Sequence, residues 1–192
     1  MGRDKAHVEV GGVAMATRLA GLLASICEDV VLVGGNPPEG AQGRRVSDPE
    51  PAVREPHATN NSEPTRSSLR GLVGALEATT AERVLVVATD TPLLSLDLLL
   101  ALAAWPAHDA VVVQDAGGRI HPLCGIYHRE IVLPHARERL AAGNLVLRAL
   151  LDAVDTQVFG GSDLAAVDPD GTALMNINTP EELERARALL AQ

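Results

Sequence analysis

The sequence predicts an α/β fold, in which a mostly parallel sheet carries helices on both faces. Segments typical of strands and of helices alternate along the chain, which is the pattern of such folds. The strand segments 84–88 and 110–113 are apolar without alternation, as expected of strands covered on both faces. The chain has 192 residues, 46% of them hydrophobic but only 2% aromatic, so a single domain over 1–192 with a core of Ala, Val and Leu is expected.

The individual elements follow from periodicity and from their start and stop signals. Ser68 and Ser95 are each expected to cap the helix that begins beside them. Thr179, Pro180 and Glu182 form a capping-box signature before the last helix, which is predicted to run to Leu190. Further helices are predicted over 13–25, 68–78, 96–104, 129–142 and 146–153, and strands over 29–35, 84–88, 110–113 and 121–127.

The segment 37–66 differs from the rest, because half of the chain's 12 prolines fall within it. Such a stretch is typical of a long surface loop, and we expect it to be flexible. Residues 45–47 indicate a short edge strand inside it.

Composition excludes several classes of function. A formal net charge of −9 disfavours nonspecific binding of nucleic acid, which requires a basic face. No apolar run is long enough for a membrane span, and no signal peptide is visible. Cys27 and Cys124 match no metal spacing and are expected to be reduced thiols in a cytoplasmic protein. An anionic substrate would need local cations or a metal ion in order to bind.

Asp90 follows the predicted strand 84–88 directly, and Pro92 helps to end that strand. Ligands of open α/β sheets bind at the carboxyl ends of the strands. A carboxylate there suits Mg²⁺, which takes one or two carboxylates together with substrate phosphates. A cap or turn role for Asp90 is the alternative. A phospho-acceptor role is disfavoured, because no acidic pair follows the first predicted strand.

Lys5 offers a compact positive charge for a phosphate, although a lysine near a terminus is often only solvated. Its surroundings, Gly-Arg-Asp-Lys and then Val and Gly residues, resemble the second half of the signature loop of the molybdenum cofactor guanylyltransferases, within the MobA-like nucleotidyltransferases. The Thr-Asp-Thr-Pro string around Asp90 resembles another motif of that family. Later motifs follow in the family's order, at 121–127, 147–151 and 176–183.

The resemblance implies a Rossmann-like, three-layer α/β/α fold and transfer of GMP from Mg-GTP to molybdopterin, with release of pyrophosphate. Lys5 and Asp90 would be the catalytic residues, with Asp90 holding the Mg²⁺. The nucleotide would also be contacted by Gly34 and Asp48. GTP and molybdopterin are the implied small-molecule partners, and molybdoenzymes or cofactor-delivery proteins are possible protein partners.

Three residues are expected to face the acceptor, with side chains that can donate and accept hydrogen bonds. His121 would line the pterin pocket, and an ordinary position at a strand end is its alternative. Asn176 and Asn178 would contact the acceptor. Their alternative role is turn or capping chemistry before the last helix.

The sequence departs from the family pattern in four respects. Gly34 stands where the family often has asparagine, residues 143–145 replace the usual Gly-Glu-Arg, and the other two departures concern the start of the chain and the segment 67–71. The family's opening strand and glycine-rich loop precede the motif that contains Lys5, and we expect them to be missing here, through truncation or a misplaced start. The string Ser-Ser-Leu-Arg-Gly at 67–71 resembles the related molybdopterin cytidylyltransferases instead. CTP in place of GTP, another nucleotidyl transfer, or a non-catalytic nucleotide-binding or interaction protein are therefore the alternatives.

Overall fold

A computed structural model of the protein describes residues 5–49 and 67–190. It has the mixed α/β architecture that the sequence predicts. After a 3-10 turn at Lys5–His7, the strands are β1 Glu9–Val10, β2 Val13–Ala14, β3 Val31–Val33, β4 Arg44–Val46, β5 Arg83–Val87, β6 Ala110–Gln114, β7 Ile120–His128 and β8 Thr156–Phe159. The helices are α1 Met15–Ala24, α2 Ser68–Glu77, α3 Leu96–Ala104, α4 Arg129–Ala141, α5 Leu147–Leu151, α6 Gly161–Val167 and α7 Pro180–Leu190.

The principal sheet has four strands in the order β5-β7-β6-β8. β6 and β8 pair in parallel, whereas β7 runs antiparallel to both of its neighbours. The sheet is thus only partly parallel, because β7 follows β6 through a tight turn. Asp115 accepts hydrogen bonds from the backbone N–H groups of Gly117 and Arg119, both at 2.9 Å, and stabilises that turn. A parallel neighbour would need a crossover of a dozen residues or more.

Two small sheets stand apart from the principal one. β3 pairs in parallel with β4, which confirms the edge strand expected near 45–47. β1 and β2 form a hairpin that the sequence analysis missed, closed by Gly11 and Gly12 at φ values of +62° and +77°. Positive φ at both central residues matches the twist that a two-residue hairpin requires. β8 and α6 were also missed.

Alternate residues of β6 face opposite layers of the core. Ala110 and Val112 belong to a cluster with α2, α4 and α5, while Val111 and Val113 belong to a cluster with α1, α3 and α6. The three-layer arrangement is therefore confirmed. A third, smaller cluster contains Val10, Met15, Ile177 and Ala186, and it joins the hairpin to the start of α1 and to α7.

The helix caps follow the expected chemistry with one correction. Ser67, and not Ser68, caps α2, because its hydroxyl accepts a hydrogen bond from the Arg70 N–H at 3.2 Å. Ser95 caps α3 as predicted, by accepting from the Leu98 N–H at 3.2 Å. The capping box of α7 is also confirmed: Thr179 accepts from the Glu182 N–H, and Glu182 accepts from the Thr179 N–H.

The loop expected over 37–66 is described only as far as residue 49, and that part contains β4; residues 50–66 lie outside the described residues. Within the described ranges, no helix has both the length and the apolarity to cross a membrane.

Candidate active site

The carboxyl ends of β3 and β5 open onto one cavity of about 1240 Å³. Four of the predicted site residues line it: Lys5, Gly34, Asp48 and Asp90. Ends of neighbouring strands are where α/β proteins bind their ligands. The cavity continues from this end along the lengths of both strands.

Lys5, near the start of the sequence, contacts one residue from its middle and one from near its end. Its ammonium group donates a short hydrogen bond to the side-chain oxygen of Asn178 and lies 3.5 Å from Oδ2 of Asp90. The side chains of Lys5 and Asp90 are 39% and 27% exposed, so both remain accessible to a ligand. Beside Lys5, an imidazole nitrogen of His7 lies 2.8 Å from the backbone oxygen of Asn36, which fixes the turn against the end of β3.

Asp90 is held by the turn that follows β5. The hydroxyl of Thr91, which is buried, donates to the carbonyl of Ala88 at 2.9 Å. The backbone carbonyl of Asp90 accepts from the N–H of Ile177 at 2.8 Å. Since Ile177 is buried in the third cluster, the segment that carries Asn178 is anchored beside Asp90.

Gly34 and Asp48 are in direct apposition at the carboxyl end of β3. Gly34 has φ +72°, and a Cβ atom there would lie 2.5 Å from Oδ2 of Asp48. Its N–H donates to the carbonyl of Val46 at 2.9 Å. Only glycine allows both this backbone conformation and this approach of the carboxylate.

His121 lies at the same edge of the principal sheet but apart from the Lys5–Asp90 pair. It pairs with Val113 near the end of β6, and its Nε2 lies 2.8 Å from Oδ2 of Asp115. The hydrogen bond from His121 is the main cause that lowers the pKa of the Asp115 carboxyl, and the N–H groups of Arg119 and Gly117 contribute. Asp115 thereby orients the imidazole, a role that the sequence analysis did not assign.

The two predicted asparagines have different surroundings. Asn178 contacts Lys5, whereas Asn176 is half-buried two residues earlier, on the other side of Ile177. Glu182 accepts from the N–H groups of Asn178 and Thr179 at 2.6 and 2.9 Å, and these two bonds lower its pKa. The positive charge of Lys5 lowers it further. The capping-box pattern predicted the bond from the Thr179 N–H to Glu182. It did not predict that the charge of Lys5 acts on the Glu182 carboxylate.

The two carboxylates that line the cavity belong to the ligand type that divalent metal ions prefer. Asp48 and Asp90 line one cavity, and among the described residues no group of three or more His, Cys, Asp or Glu side chains could hold a metal by itself. Mg²⁺ commonly binds through one or two carboxylates together with phosphate oxygens and water. Lys5 adds a positive charge in an otherwise acidic protein.

Comparisons with known proteins identify the family of the chain. A family model described as MobA-like NTP transferase domain matches residues 1–158. Molybdenum cofactor guanylyltransferases from Desulfosudis oleivorans and Cereibacter sphaeroides are 30% and 32% identical to the chain. Each alignment covers 98% of this chain, and 88% and 89% of the respective relative.

Solved structures share the fold at lower identity. The molybdopterin-guanine dinucleotide biosynthesis protein A of Archaeoglobus fulgidus superposes with a TM-score of 0.74 at 18% identity, covering 99% of this chain and 92% of its own. The 2-C-methyl-D-erythritol 4-phosphate cytidylyltransferase of Thermus thermophilus superposes with a TM-score of 0.68, also at 18% identity, covering 98% and 94%.

Proposed function

We propose that this chain, which belongs to the family of MobA-like NTP transferase domains, transfers GMP from Mg-GTP to molybdopterin. A phosphate oxygen of molybdopterin would form a bond to the α-phosphorus of GTP, and the bond to the leaving pyrophosphate would break. The observation that carries the proposal is the convergence of Lys5, Asp90 and Asn178 at the carboxyl end of β5. The names of the relatives above support guanosine as the nucleoside.

Lys5 would bind the triphosphate. In the structure its ammonium group is shared between a carboxylate and an amide oxygen, so an incoming phosphate would compete for a donor that is already positioned. Transfer reactions of this kind depend chiefly on positioning and on neutralising the charge that develops in the transition state. Since the protein has a net charge of −9, a lysine at this point reduces the repulsion of an anionic substrate.

Asp90 would hold Mg²⁺, and Asp48, whose carboxylate lies against Gly34, would contact the nucleotide. The ion, when bound, would supply positive charge to the phosphate oxygens. Gly34 keeps the end of β3 open, because any side chain there would meet Asp48. This assignment rests on the shared cavity and on the accessibility of the Asp90 carboxylate.

The acceptor would bind on the side of His121 and Asn176. His121 lies near the start of β7, paired with Val113 near the end of β6, and its imidazole is oriented by Asp115. Asn178 would serve chiefly to position Lys5, which differs from the acceptor contact expected from the sequence.

The choice of nucleoside needs a direct test, because the fold is shared with a cytidylyltransferase and the string at 67–71 resembles such enzymes. Calorimetric titration with GTP, CTP and ATP, each with Mg²⁺ and again with EDTA, measures the preference. We expect the tightest binding for Mg-GTP and weaker binding after Lys5→Ala. Preference for CTP would contradict the guanosine assignment, and equal affinity with and without Lys5 would contradict the phosphate role.

A further inference from the structure

The first turn of α1 is hydrogen-bonded to both segments that carry the proposed catalytic pair. On one side, the N–H of Met15 donates to the carbonyl of Val8 at 2.9 Å, and the N–H of Val8 donates to the carbonyl of Lys5 at 3.1 Å. These two bonds join the 3-10 turn that carries Lys5 to the start of the helix. The contact on the other side is made by Arg18, which lies in the same turn of α1.

Arg18 binds the segment that carries Asp90. Its Nε donates to the backbone carbonyl of Pro92 at 3.0 Å, two residues after Asp90. Pro92 is buried and Arg18 is half-buried, so the bond is partly shielded from water. Among the described residues no backbone N–H donates to this carbonyl. Without Arg18 a buried carbonyl would lose its partner, and the turn would have to move to find another donor.

The other hydrogen bonds of this turn do not connect it to α1. Thr91 closes the turn on itself, and Ile177, from the segment before α7, donates its N–H to the Asp90 carbonyl. The bond from Arg18 therefore fixes the turn relative to α1, and through α1 relative to Lys5. If the turn moved against α1, the distance of 3.5 Å between the Lys5 ammonium group and Oδ2 of Asp90 would change.

We propose that Arg18 is a positioning residue, which sets the separation of Lys5 and Asp90 by fixing the turn of Asp90 to α1. Arg18 does not line the cavity, so it acts through the carbonyl of Pro92 and not on a ligand. Its consequence for catalysis rests on the proposed function, whereas its effect on the geometry of the pair does not. A displacement of about 1 Å at a reacting site can lower a rate by roughly 100-fold.

Lys5 is the only lysine among the 192 residues, so its ammonium group can be observed selectively. Reductive methylation with isotope-labelled formaldehyde labels Lys5 and the terminal α-amino group, and NMR then reports the surroundings of Lys5 in the protein without nucleotide or metal. Asp90→Asn gives the resonance position of Lys5 when the ion pair is lost. We expect Arg18→Met to shift the Lys5 resonance toward that position, because the Asp90 carboxylate moves away from the ammonium group.

Arg129 provides a matched control. Its Nε also donates to a backbone carbonyl, that of Leu76, at 2.9 Å, and Arg129 is half-buried like Arg18. Neither Arg129 nor Leu76 lines the cavity. Arg129→Met therefore removes an equivalent hydrogen bond elsewhere in the molecule, and we expect it to leave the Lys5 resonance unchanged. Urea denaturation of both variants checks that each is folded under the conditions of the NMR measurement.

Pyrophosphate release from GTP in the presence of molybdopterin tests the consequence for catalysis. We expect Arg18→Met to lower kcat by about 10–100-fold, as the loss of groups that orient metal ligands commonly does, and to change KM for Mg-GTP less. Arg18→Lys, whose ammonium group can donate to the same carbonyl, should recover most of the rate.

The two measurements separate this inference from the proposed function. An unchanged Lys5 resonance in Arg18→Met, or an equal shift in Arg129→Met, would overturn the positioning role. So would an unchanged kcat in Arg18→Met. Absence of transfer by the unaltered protein would refute the proposed function instead, and the NMR result would still decide whether Arg18 positions the pair.

Discussion

Asp90 makes two separate contacts, one through its backbone carbonyl to Ile177 and one through its carboxylate to Lys5. Asp90→Asn removes the charge but retains the carbonyl, so we expect an unchanged fold and a fall in transfer rate of roughly 100-fold or more. Asp170→Asn, at an exposed position, is the control. Near-normal turnover in Asp90→Asn, measured by pyrophosphate release, would refute the metal assignment.

Gly34 permits the close approach of the Asp48 carboxylate. Replacing Gly34 and Gly40 by alanine, one at a time, separates the cost of losing this approach from the cost of backbone strain. Gly34→Ala and Gly40→Ala both place alanine at positive φ, at a cost of roughly 1–2 kcal/mol. Gly34→Ala also brings Cβ to 2.5 Å from the Asp48 carboxylate, so we expect a further loss of about 1–3 kcal/mol. Urea denaturation measures both values. If Asp48→Ala fails to relieve the additional loss, the contact is not its cause.

At the residue scale, motifs and strand ends in the sequence single out Lys5, Gly34, Asp48 and Asp90, and the structure places all four along one cavity. Their roles in binding and catalysis stay predictions. Contacts made through the backbone, such as that of Ile177 with Asp90, have no signature in side-chain identity. The bond between Lys5 and Asn178 was likewise missed, because it joins residues 173 positions apart.

At the scale of elements, the start of α7 links stability to pH. Bonds from the N–H groups of Asn178 and Thr179 lower the pKa of Glu182 in the folded state. Its contribution to the free energy of unfolding is therefore complete above its ordinary pKa of 4.5 and is lost as pH falls through the lower folded value. We expect Glu182→Gln to reduce stability at pH 7 and this deficit to shrink below pH 4.5. Glu181→Gln, in the same helical turn, should show a smaller deficit in urea titrations; matching deficits would disprove the capping account.

Element prediction depended on length and on the strength of the local pattern. Helices with several apolar turns and strands with continuous Val and Leu were identified within a few residues of their bounds. β1 and β2, with two residues each, are too short to produce a period. β8 is largely exposed apart from Phe159, and α6 begins at a glycine, so neither has the signal of a buried element.

At the scale of the whole molecule, we expect the cavity between β3 and β5 to limit stability. Gly71→Leu and Gly21→Leu should each gain about 1 kcal/mol from helix propensity. We expect Gly71→Leu to gain an additional ~1–2 kcal/mol, because Gly71 lines the cavity, has open space at its Cβ position and would add apolar surface beside the strand residues that also line it. Urea denaturation of the two variants gives the difference directly. Equal stabilities would indicate that the cavity closes when the protein is in solution.

Fold class was predictable because the alternation of strands and helices is a property of the whole chain. The direction of β7 was not, since it depends on the short turn that Asp115 stabilises.

The two-stranded sheet of β3 and β4 bears on where the protein unfolds locally. Isolated strand pairs are marginal in water, and this one adjoins the principal sheet only across a cavity. We expect it to unfold locally while the principal sheet stays intact. Amides of residues 31–33 and 44–46 should then exchange with deuterium far faster than those of β6, through an opening well below the global free energy of unfolding. Uniform exchange rates across the two sheets, measured by mass spectrometry, would contradict this order.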